Sequence, residues 1–475
     1  MKKFFITTSI AYVNAPPHIG FALESVQADV LARWQKVSGR EIFFQTGTDE
    51  HGAKIARAAE KSGLTAEEFV CGNAELFKSL KDALCLSWDA FVRTTDKKTH
   101  WPRVEEMWKK LEAAGDLYKK NYRGFYCVGH EAFVTEKDLV DGVCRDHREK
   151  PQVIEEENWF FRLSKYAKQI ELGIKNNELR IVPKTRTNEI LSLFKEGIED
   201  ISFSRPSKDL KWGIPVPGDP TQTIYVWADA LTNYLDYPEH WPADVHLIGK
   251  DILRFHALIW PGMLLSAKLP LPGSVFVHGH ITVKGGKMSK TLGNVVDPFE
   301  LTKKYGTDPV RYYLLREIPS TEDGDFSYEK FEERYNGDLA NGLGNFSARV
   351  LTLAGNVGKL ENGDKNPEQE VGETIEAARK EVAQKVERFR LHEALSAIWM
   401  LISYGDNYVN SRKVWALSGE EKTKALFNLV TILNDVALLL APFLPETSRK
   451  ISDCIIREED GFSVKKGTQL FPRIK

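Results

Sequence analysis

Two short segments carry residue types that could handle a phosphate. The first is PPHIGF at residues 16–21, in which His18 can donate a hydrogen bond to an anion and Gly20 lets a ligand approach the backbone. This segment lies at a predicted strand-to-helix turn, where a helix N-terminus adds backbone amides and partial positive charge. The second is GGKMSKTLGN at residues 285–294, which places Lys287 and Lys290 on a glycine-flanked loop. Such a loop can bring two cations onto a polyphosphate as charge develops.

Each segment also has an ordinary interpretation when it is taken alone. A histidine near a helix start is more often structural, and a basic loop is usually solvated surface. Neither segment is a Walker loop or a dinucleotide fingerprint. Their combination, at the start and the end of an α/β pattern, is what favours nucleotide chemistry.

A third group of residues has the types and spacing of a metal site. The sequences CVGH at residues 127–130 and CRDH at 144–147 are two knuckles with two-residue spacers. Nitrogen and sulfur ligands in this pattern predict a closed tetrahedral zinc site, which would be structural because four protein ligands leave no open position. The predicted ligands are Cys127, His130, Cys144 and His147. The alternative is a pair of knuckles without metal.

The elements around these segments indicate an α/β fold. A short apolar run at residues 3–8 precedes a helical periodicity from Ile19 to Val37, and a second strand pattern follows at residues 41–46. Strand, helix and strand in this order predict a doubly wound parallel sheet. Further strand patterns at residues 223–227, 246–248 and 275–278 come after mixed segments that contain the knuckles. An inserted domain that splits the sheet is the simplest interpretation.

The C-terminal part of the chain is predicted to be helical. Leucines, valine and alanine between Leu426 and Leu440 recur with helical spacing, and this segment stops near Pro442. Several such segments follow a polar, linker-like stretch at residues 361–367. They predict a helical bundle.

Composition excludes several classes of protein. The chain has 475 residues, 42% hydrophobic and 28% charged residues, and a net charge of −2, so contacts with RNA must use local basic patches. We find no apolar run of the roughly 18 residues that a membrane helix needs, and expect no membrane partner. The five cysteines are an odd number scattered through a large chain, which indicates a reducing compartment and predicts a cytoplasmic protein.

The motifs resemble those of a known family over essentially the whole chain. HIGF at residues 18–21 and KMSKT at 287–291 resemble the two signatures of class I aminoacyl-tRNA synthetases. Four more segments are similar to the methionyl branch of that class: QTGTDEHG at 45–52, ENWFFRLSKY at 157–166, YVWADALTNY at 225–234 and GKDILRFH at 249–256. The resemblance implies a ligase that activates methionine with ATP to methionyl adenylate and pyrophosphate, and transfers methionine to its tRNA.

The resemblance also implies roles for individual residues. Asp49 would receive the ammonium group of methionine, and His18, Lys287 and Lys290 would be catalytic through positioning and charge. The remaining methionine-binding residues would be Ile10, Tyr12, Trp227, Ala230, Tyr234, Ile252 and His256. ATP, together with magnesium, would be bound by His18, Gly20, Gly249, Asp251, Lys287, Ser289 and Lys290. An aromatic pocket suits a thioether.

The implied architecture is a Rossmann-like doubly wound parallel sheet, split by a zinc-knuckle insertion and followed by an all-α anticodon-binding bundle. The expected domains are 1–118 and 213–284 for the two halves of the catalytic domain, 119–212 for the insertion, 285–355 for the lysine loop and stem-contact region, and 356–475 for the anticodon-binding domain. Candidate anticodon contacts are Asn407, Arg412 and Trp415, through amide hydrogen bonds and stacking. We expect a monomer, because no appended dimerisation domain follows the bundle.

The chain departs from the family pattern at three positions. Phe21 stands where the first signature normally ends in a second histidine, Thr291 replaces a serine, and Ser452 lies where a tryptophan often stacks on an anticodon base. Three rival interpretations stay open, and Phe21 motivates the last of them. They are another class I synthetase, a nucleotidyltransferase, and a non-catalytic tRNA-binding relative.

Overall fold

The computed structural model describes residues 2–127, 132–134, 139–145, 148–288, 293–361 and 366–474. The chain forms two compact units. The first consists of Met1–Pro17, Arg40–Ser79 and Trp88–Val277, and the second of His18–Gly39, Leu80–Ser87 and His278–Lys475.

A seven-stranded sheet organises the first unit. Its order is β10-β16-β15-β1-β3-β2, with β4 also paired to β3. The strands are β1 (Lys3–Thr8), β2 (Ala11–Tyr12), β3 (Glu41–Asp49), β4 (Ala90–Arg93), β10 (Arg180–Val182), β15 (Val245–Gly249) and β16 (Ser274–His278). β1 pairs in parallel with both β3 and β15. β1, β15 and β16 are almost entirely buried, as expected of parallel strands covered on both faces. The predicted parallel sheet is confirmed.

Helices accompany this sheet and begin close to its strand ends. They are α2 (Ala53–Lys61), α3 (Ala66–Ala83), α4 (His100–Ala113), α5 (Ala167–Lys175), α6 (Lys184–Glu196), α7 (Val226–Leu231) and α8 (Trp260–Ser266). Short 3-10 turns cover Leu163–Tyr166, Thr232–Leu235, Pro238–His240 and Lys250–Ile252, and Phe255–Ile259 is a π-helical turn. Tyr234 and Trp260 are among the largest fully buried side chains.

Between β4 and β15 in sequence, on either side of β10, the chain forms antiparallel structure. The long strands β5 (Leu117–Cys127) and β9 (Gln152–Phe161) pair from Leu117↔Phe161 to Tyr126↔Gln152. The shorter strands are β6 (Ala132–Val134), β7 (Leu139–Val140), β8 (Val143–Cys144), β11 (Ile201–Ser202), β12 (Ser204–Pro206), β13 (Pro215–Val216) and β14 (Asp219–Ile224). A segment with a different pairing pattern therefore interrupts the parallel sheet.

One predicted strand was wrong in part. The pattern at residues 223–227 predicts a strand of the main sheet, but β14 ends at Ile224 and belongs to a small antiparallel sheet with β12 and β13. Tyr225 is the extended residue that caps α7, and Val226 already begins that helix. A short apolar run does not by itself distinguish a strand from a buried helix.

The second unit is mainly helical. Its helices are α1 (Ile19–Val37), α9 (Pro298–Tyr305), α10 (Thr307–Arg316), α11 (Tyr328–Arg334), α12 (Asn345–Gly355), α13 (Gln369–Glu387), α14 (Leu391–Ser411), α15 (Gly419–Leu440) and α16 (Pro445–Ser452). Tyr335–Gly344 is π-helical and Val414–Ala416 is a 3-10 turn. Two small sheets complete the unit: β17 (Ile281–Val283), β18 (Gly286–Lys287) and β19 (Gly324–Phe326), then β20 (Lys359–Glu361), β21 (Ile455–Glu458) and β22 (Gly461–Val464).

α15 is the core helix of the C-terminal bundle. Among the described residues it is the one helix long and apolar enough to cross a membrane, yet 72% of its apolar window is buried inside the protein. Its leucines and valines pack within the bundle, as the helical periodicity predicted. The apolar character of this helix is thus explained by packing.

A buried arginine connects the parts of the second unit. Arg311 of α10 lies 2.7 Å from the carboxylate of Asp29 in α1, and both side chains are fully buried. The guanidinium also donates to the backbone oxygens of Phe443 at 2.8 Å, Leu84 at 2.9 Å and Pro442 at 2.9 Å. All three guanidinium nitrogens are therefore hydrogen-bonded, to α1, to Leu84 just after α3 and to the segment that follows α15.

Candidate amino-acid and nucleotide site

Asp49 is the last residue of β3, at the edge where the parallel strands end. Doubly wound sheets bind ligands at this edge because the chain leaves it as loops. β2 pairs with the end of β3, so that Tyr12 lies opposite Asp49. The side chain of Asp49 is nearly buried, and the backbone amide of His51 lies 3.5 Å from its Oδ1. A carboxylate in this place can bind an ammonium group.

Glu50, the residue after Asp49, stabilises the end of β3 through several hydrogen bonds. It is fully buried and accepts hydrogen bonds from Arg93 Nε at 2.7 Å, Arg93 Nη2 at 2.9 Å and Thr48 Oγ1 at 2.6 Å. The indole of Trp212 donates to the backbone oxygen of Glu50 at 2.6 Å. The sequence analysis did not predict this role, although Glu50 lies within the QTGTDEHG segment.

The predicted methionine-pocket residues form an aromatic cluster. Trp227 stacks on Phe255 with ring centres 3.6 Å apart and an angle of 12°. Tyr234 and His256 contact each other through Tyr234 Oη and His256 Nε2, 2.7 Å apart. His256 Nδ1 lies 3.0 Å from the backbone oxygen of Ile252. Tyr234, Ile252 and His256 are thereby brought together, and Trp227 lies against Phe255, the residue before His256. Ala230 accepts a hydrogen bond from Asn233 in the same segment.

His256 is neutral in this cluster. Burial lowers its pKa to about 4, although the backbone oxygen of Ile252 and the charge of Asp251 act in the opposite direction. Because Nδ1 faces a carbonyl oxygen, it carries the proton, and Nε2 accepts from the Tyr234 hydroxyl. The pocket therefore has an uncharged lining on this side, which suits a thioether side chain.

Gly249 and Asp251 lie at the end of β15, the strand next to β1. Gly249 is the last residue of the strand, and a 3-10 turn begins at Lys250. Asp251 is exposed on that turn, whereas Ile10 is half-buried just after β1. An exposed carboxylate beyond a parallel strand can bind ribose hydroxyls.

His18 belongs to the second unit and caps the N-terminus of α1. Its Nδ1 accepts a hydrogen bond from the backbone amide of Gly20 at 3.0 Å, so the neutral ring carries its proton on Nε2. A Cβ atom at Gly20 would meet the His18 ring at 2.8 Å, which explains the glycine. The ring of Phe21 lies 4.6 Å from that of His18. A ring held in this way can donate from Nε2 to an anion.

The lysine loop follows β17 in the same unit. Gly285, with a φ of +71°, makes the turn into β18 and donates its amide to Asp325 Oδ1 at 2.8 Å. Backbone pairing joins Lys287 to Thr282. Ser289 and Lys290 lie outside the described residues, so the roles predicted for Lys287, Ser289 and Lys290 stay predictions.

The knuckle segments contribute two buried thiols. Cys127 and Cys144 share one small cluster with Val134, and Phe125 and Leu139 pack against it. His130 and His147 lie outside the described residues. Within the described part of the chain, no group of three histidine, cysteine or acidic side chains is arranged around a common point. Two thiols buried in one cluster are nevertheless the soft ligands that a structural zinc site uses.

The predicted anticodon residues lie at the end of α14 and just beyond it. Asn407, Arg412 and Trp415 are all exposed. Arg349, which the sequence analysis missed, lies within 2.6 Å of both Asp406 Oδ1 and Asn410 Oδ1, and its guanidinium lies 6.0 Å from the centre of the Trp415 ring. Arg412 instead pairs with Glu368 at 3.1 Å. These side chains offer stacking and hydrogen-bonding groups to an RNA base.

Two family profiles and several known relatives match this chain. The family profile described as "tRNA synthetases class I (M)" matches residues 4–148 and 134–351, and "Anticodon-binding domain of tRNA ligase" matches residues 369–467. The chain is 40% identical to a methionine–tRNA ligase of Caldanaerobacter subterraneus, with 100% of this chain and 79% of the relative covered. It is also 40% identical to a methionine–tRNA ligase of Brucella melitensis, with 97% and 93% covered.

A solved structure is similar over its full length. Mycobacterium tuberculosis methionyl-tRNA synthetase in complex with methionyl-adenylate matches with a TM-score of 0.93 and 36% identity, covering 100% of both chains. The apo form of the same synthetase matches with a TM-score of 0.86. The parallel sheet and the helical C-terminal region are thus those of a class I synthetase with its anticodon-binding domain. On these grounds the chain belongs to the methionyl family of class I tRNA synthetases.

Proposed function

We propose that this protein is a methionine–tRNA ligase, which forms methionyl adenylate and pyrophosphate from methionine and ATP and then transfers methionine to its tRNA. The observation that carries the proposal is a pair of contacts between the segment that contains Asp49 and the segment that contains the aromatic side chains. His51, two residues after Asp49, contacts Asp229 at 2.7 Å, and Gln45 of the same strand contacts Asn233 at 2.9 Å. These contacts hold Asp49, the proposed ligand of the ammonium group, close to the segment that supplies the uncharged aromatic side chains.

The residues act by binding and charge rather than as nucleophiles. Asp49 binds the ammonium group, and the cluster of Trp227, Tyr234 and His256 surrounds the thioether side chain. The methionine carboxylate attacks the α-phosphorus of magnesium-bound ATP, and pyrophosphate leaves. His18 donates from Nε2 to the phosphates, with Lys287 and Lys290 as the cations of the loop. Gly249 and Asp251 bind the ribose.

In the second step, the terminal ribose hydroxyl of the tRNA attacks the activated carbonyl and AMP leaves. The exposed group of Asn407, Arg412 and Trp415 supports anticodon binding. Arg349 joins them, since it holds Asn410 and lies beside the Trp415 ring. A local surface of this kind suits a chain whose net charge is −2.

A structural zinc ion is part of the proposal. Cys127 and Cys144 would hold it together with His130 and His147, and the metal would crosslink the two knuckles. The buried pair of thiols supports this assignment. We also propose a monomer in the cytoplasm, which sedimentation and localisation of the tagged protein test.

The test is ATP–pyrophosphate exchange measured with each of the twenty amino acids. Exchange that depends on methionine supports the proposal and shows that Phe21 is tolerated. Exchange with another amino acid instead would retain the class and overturn the pocket assignment. Folded protein with no exchange would leave a non-catalytic tRNA-binding relative as the better account.

A further inference from the structure

Four buried ionisable side chains form a continuous chain in the first unit. His51 Nδ1 lies 2.7 Å from Asp229 Oδ2, and Asp229 Oδ1 lies 2.8 Å from His100 Nε2. His100 Nδ1 then lies 3.0 Å from Asp236 Oδ1 and 3.1 Å from Oδ2. Each of the four side chains is at most 3% exposed. Such a buried network specifies one arrangement of its members when all of its groups are satisfied.

The geometry defines the charge of His100. Both of its ring nitrogens face carboxyl groups, and when both of these groups are ionised their oxygens accept, so that both nitrogens donate. Only the imidazolium can do this. Burial lowers the pKa of His100, but Asp236 and Asp229 more than offset that effect and raise it to about 10. For Asp229, burial acts to raise the pKa, but interactions with His51 and His100 outweigh burial and hold the pKa below its ordinary value.

Asp236 is the more easily protonated of the two carboxyl groups in this network. Burial raises its pKa above the ordinary value, although His100 and Arg103 act against that rise. Two more ionisable groups interact with the Asp236 end of the network. They are Asp96, whose pKa is lowered in part by the charge of His100, and Tyr237, whose pKa is raised mainly by burial and in part by the charge of Asp236. At the opposite end of the network, the rings of Trp101 and Trp212 lie 6.0 Å and 5.7 Å from the ring of His51.

The network connects the three segments on which the proposed pocket depends. His51 follows Asp49 by two residues, Asp229 lies between Trp227 and Ala230, and Asp236 follows Tyr234 by two. His100 stands apart from all of them, as the first residue of α4 after β4. It belongs to none of the motifs found in the sequence, and it does not reach the substrate-binding side chains itself.

We propose that His100 is a positioning residue for the amino-acid pocket, a buried imidazolium that holds Asp229 and Asp236, and through them Trp227 and Tyr234, in register with Asp49. This inference rests on the proposed function for its substrate. The physical reason is that two carboxylates this close repel each other unless a cation lies between them. Without that cation, the turn between Asp229 and Asp236 would open.

The first test is made on the unaltered protein. Side-chain ¹⁵N spectra of histidine-labelled protein at pH 8 should contain a signal with both ring nitrogens protonated, and this signal should be missing from His100→Gln. An ordinary histidine is neutral at that pH. A neutral ring for His100 at pH 8 would overturn the proposal without any need for a variant to fold.

The second test separates positioning from simple packing. In ATP–pyrophosphate exchange, His100→Gln should raise the KM for methionine by roughly 10- to 100-fold and leave the KM for ATP unchanged. His100→Gln with Asp236→Asn should recover most of the loss, because the uncompensated carboxylate is removed. His392→Gln, which removes a half-buried histidine of the second unit that contacts Ser320, is the control.

The outcomes distinguish the inference from the proposed function. If the unaltered protein shows no exchange with methionine, the proposed function is wrong, and the role of His100 in a methionine pocket is then wrong as well. If it does exchange with methionine, three results overturn the inference alone. These are an unchanged methionine KM in His100→Gln, equal rises in the KM values of both substrates, and a double variant no better than the single one.

Discussion

Gln45 and Asn233 are joined by two buried hydrogen bonds, although 188 residues separate them in the sequence. Gln45 Nε2 lies 2.9 Å from Asn233 Oδ1 and 3.1 Å from the Asn233 backbone oxygen. Gln45 belongs to the strand that ends at Asp49, and Asn233 immediately precedes Tyr234. A side chain of the sheet thus determines where the pocket segment lies, before any substrate is bound.

Replacement of Asp49 by asparagine should weaken methionine binding. The variant keeps the size of the side chain but loses the charge opposite the ammonium group, and hydrogen bonds between charged groups contribute about 1.5–3 kcal/mol. We expect a KM for methionine raised roughly 10- to 100-fold in pyrophosphate exchange, with the KM for ATP unchanged. Asp89→Asn is the matched control, since Asp89 binds only the backbone amide of Phe44 among the contacts described. Equal effects of the two substitutions would contradict the assigned role.

Phe21→His should speed activation. The aromatic ring beside His18 stands where a second histidine donor would lie. A donor that reaches the developing charge contributes about 1–3 kcal/mol, so the exchange rate should rise by about 10-fold. Phe21→Leu provides no donor and should give no rise. A rate that Phe21→His leaves unchanged would mean that another group already supplies this hydrogen bond.

Zinc content should depend on two of the five cysteines. Elemental analysis of the purified protein should find one zinc ion per chain, and Cys127→Ser or Cys144→Ser should remove it. Cys71→Ser and Cys454→Ser are the controls, because neither residue belongs to the cluster that contains Cys127 and Cys144. Removal of the metal by a chelator should lower the melting temperature of the protein. Metal-free protein with unaltered melting would rule out the structural site.

Arg311→Met should strongly destabilise the protein. It removes the fully buried one of the two arginines that pair with Asp29, the other being Arg33, and leaves three backbone oxygens without this donor, which costs about 3–5 kcal/mol of unfolding free energy. The measurement is urea unfolding of the variant and of the unaltered protein. Arg349→Met, which breaks a partly exposed pair with Asp406, should cost no more than about 1 kcal/mol. Similar losses for the two arginines would refute the argument from burial.

The unfolding free energy should decrease below pH 6.5 because of His256. Its folded pKa is about 4, below the ordinary value of 6.5, so the unfolded chain binds more protons between these pH values. The unfolding free energy is therefore retained above pH 6.5 and lost as the pH decreases towards 4. At 1.36 kcal/mol per pH unit, the loss at pH 5 is about 2 kcal/mol.

The measurement is urea unfolding at pH 7 and pH 5. His256→Gln should remove this part of the pH dependence, whereas His240→Gln, at a partly exposed position, should retain it. Burial also lowers the pKa of His246, which gives a residual slope of the same sign. An unchanged slope in His256→Gln would show that His256 is protonated in the folded protein.

The sequence by itself determined the local elements and the residues that resemble family motifs. The predicted strand at residues 3–8 and the helix from Ile19 to Val37 agree with β1 and α1. Both are encoded in patterns that repeat every two to four residues, and nearby residues suffice to express them. The motifs likewise named Asp49, Trp227 and His256 from short runs of letters.

Only the tertiary structure decided which ionisable groups meet. His100 contacts Asp229 across 129 residues, and Arg311 contacts Asp29 from a different helix. Neither His100 nor Arg311 belongs to a periodic pattern or a motif found in the sequence. The strand expected at residues 223–227 became partly the helix that presents Asp229, because its partners in the fold outweigh local preference. A buried charge is stable only where its counter-charge is already positioned, and that depends on how the whole chain packs.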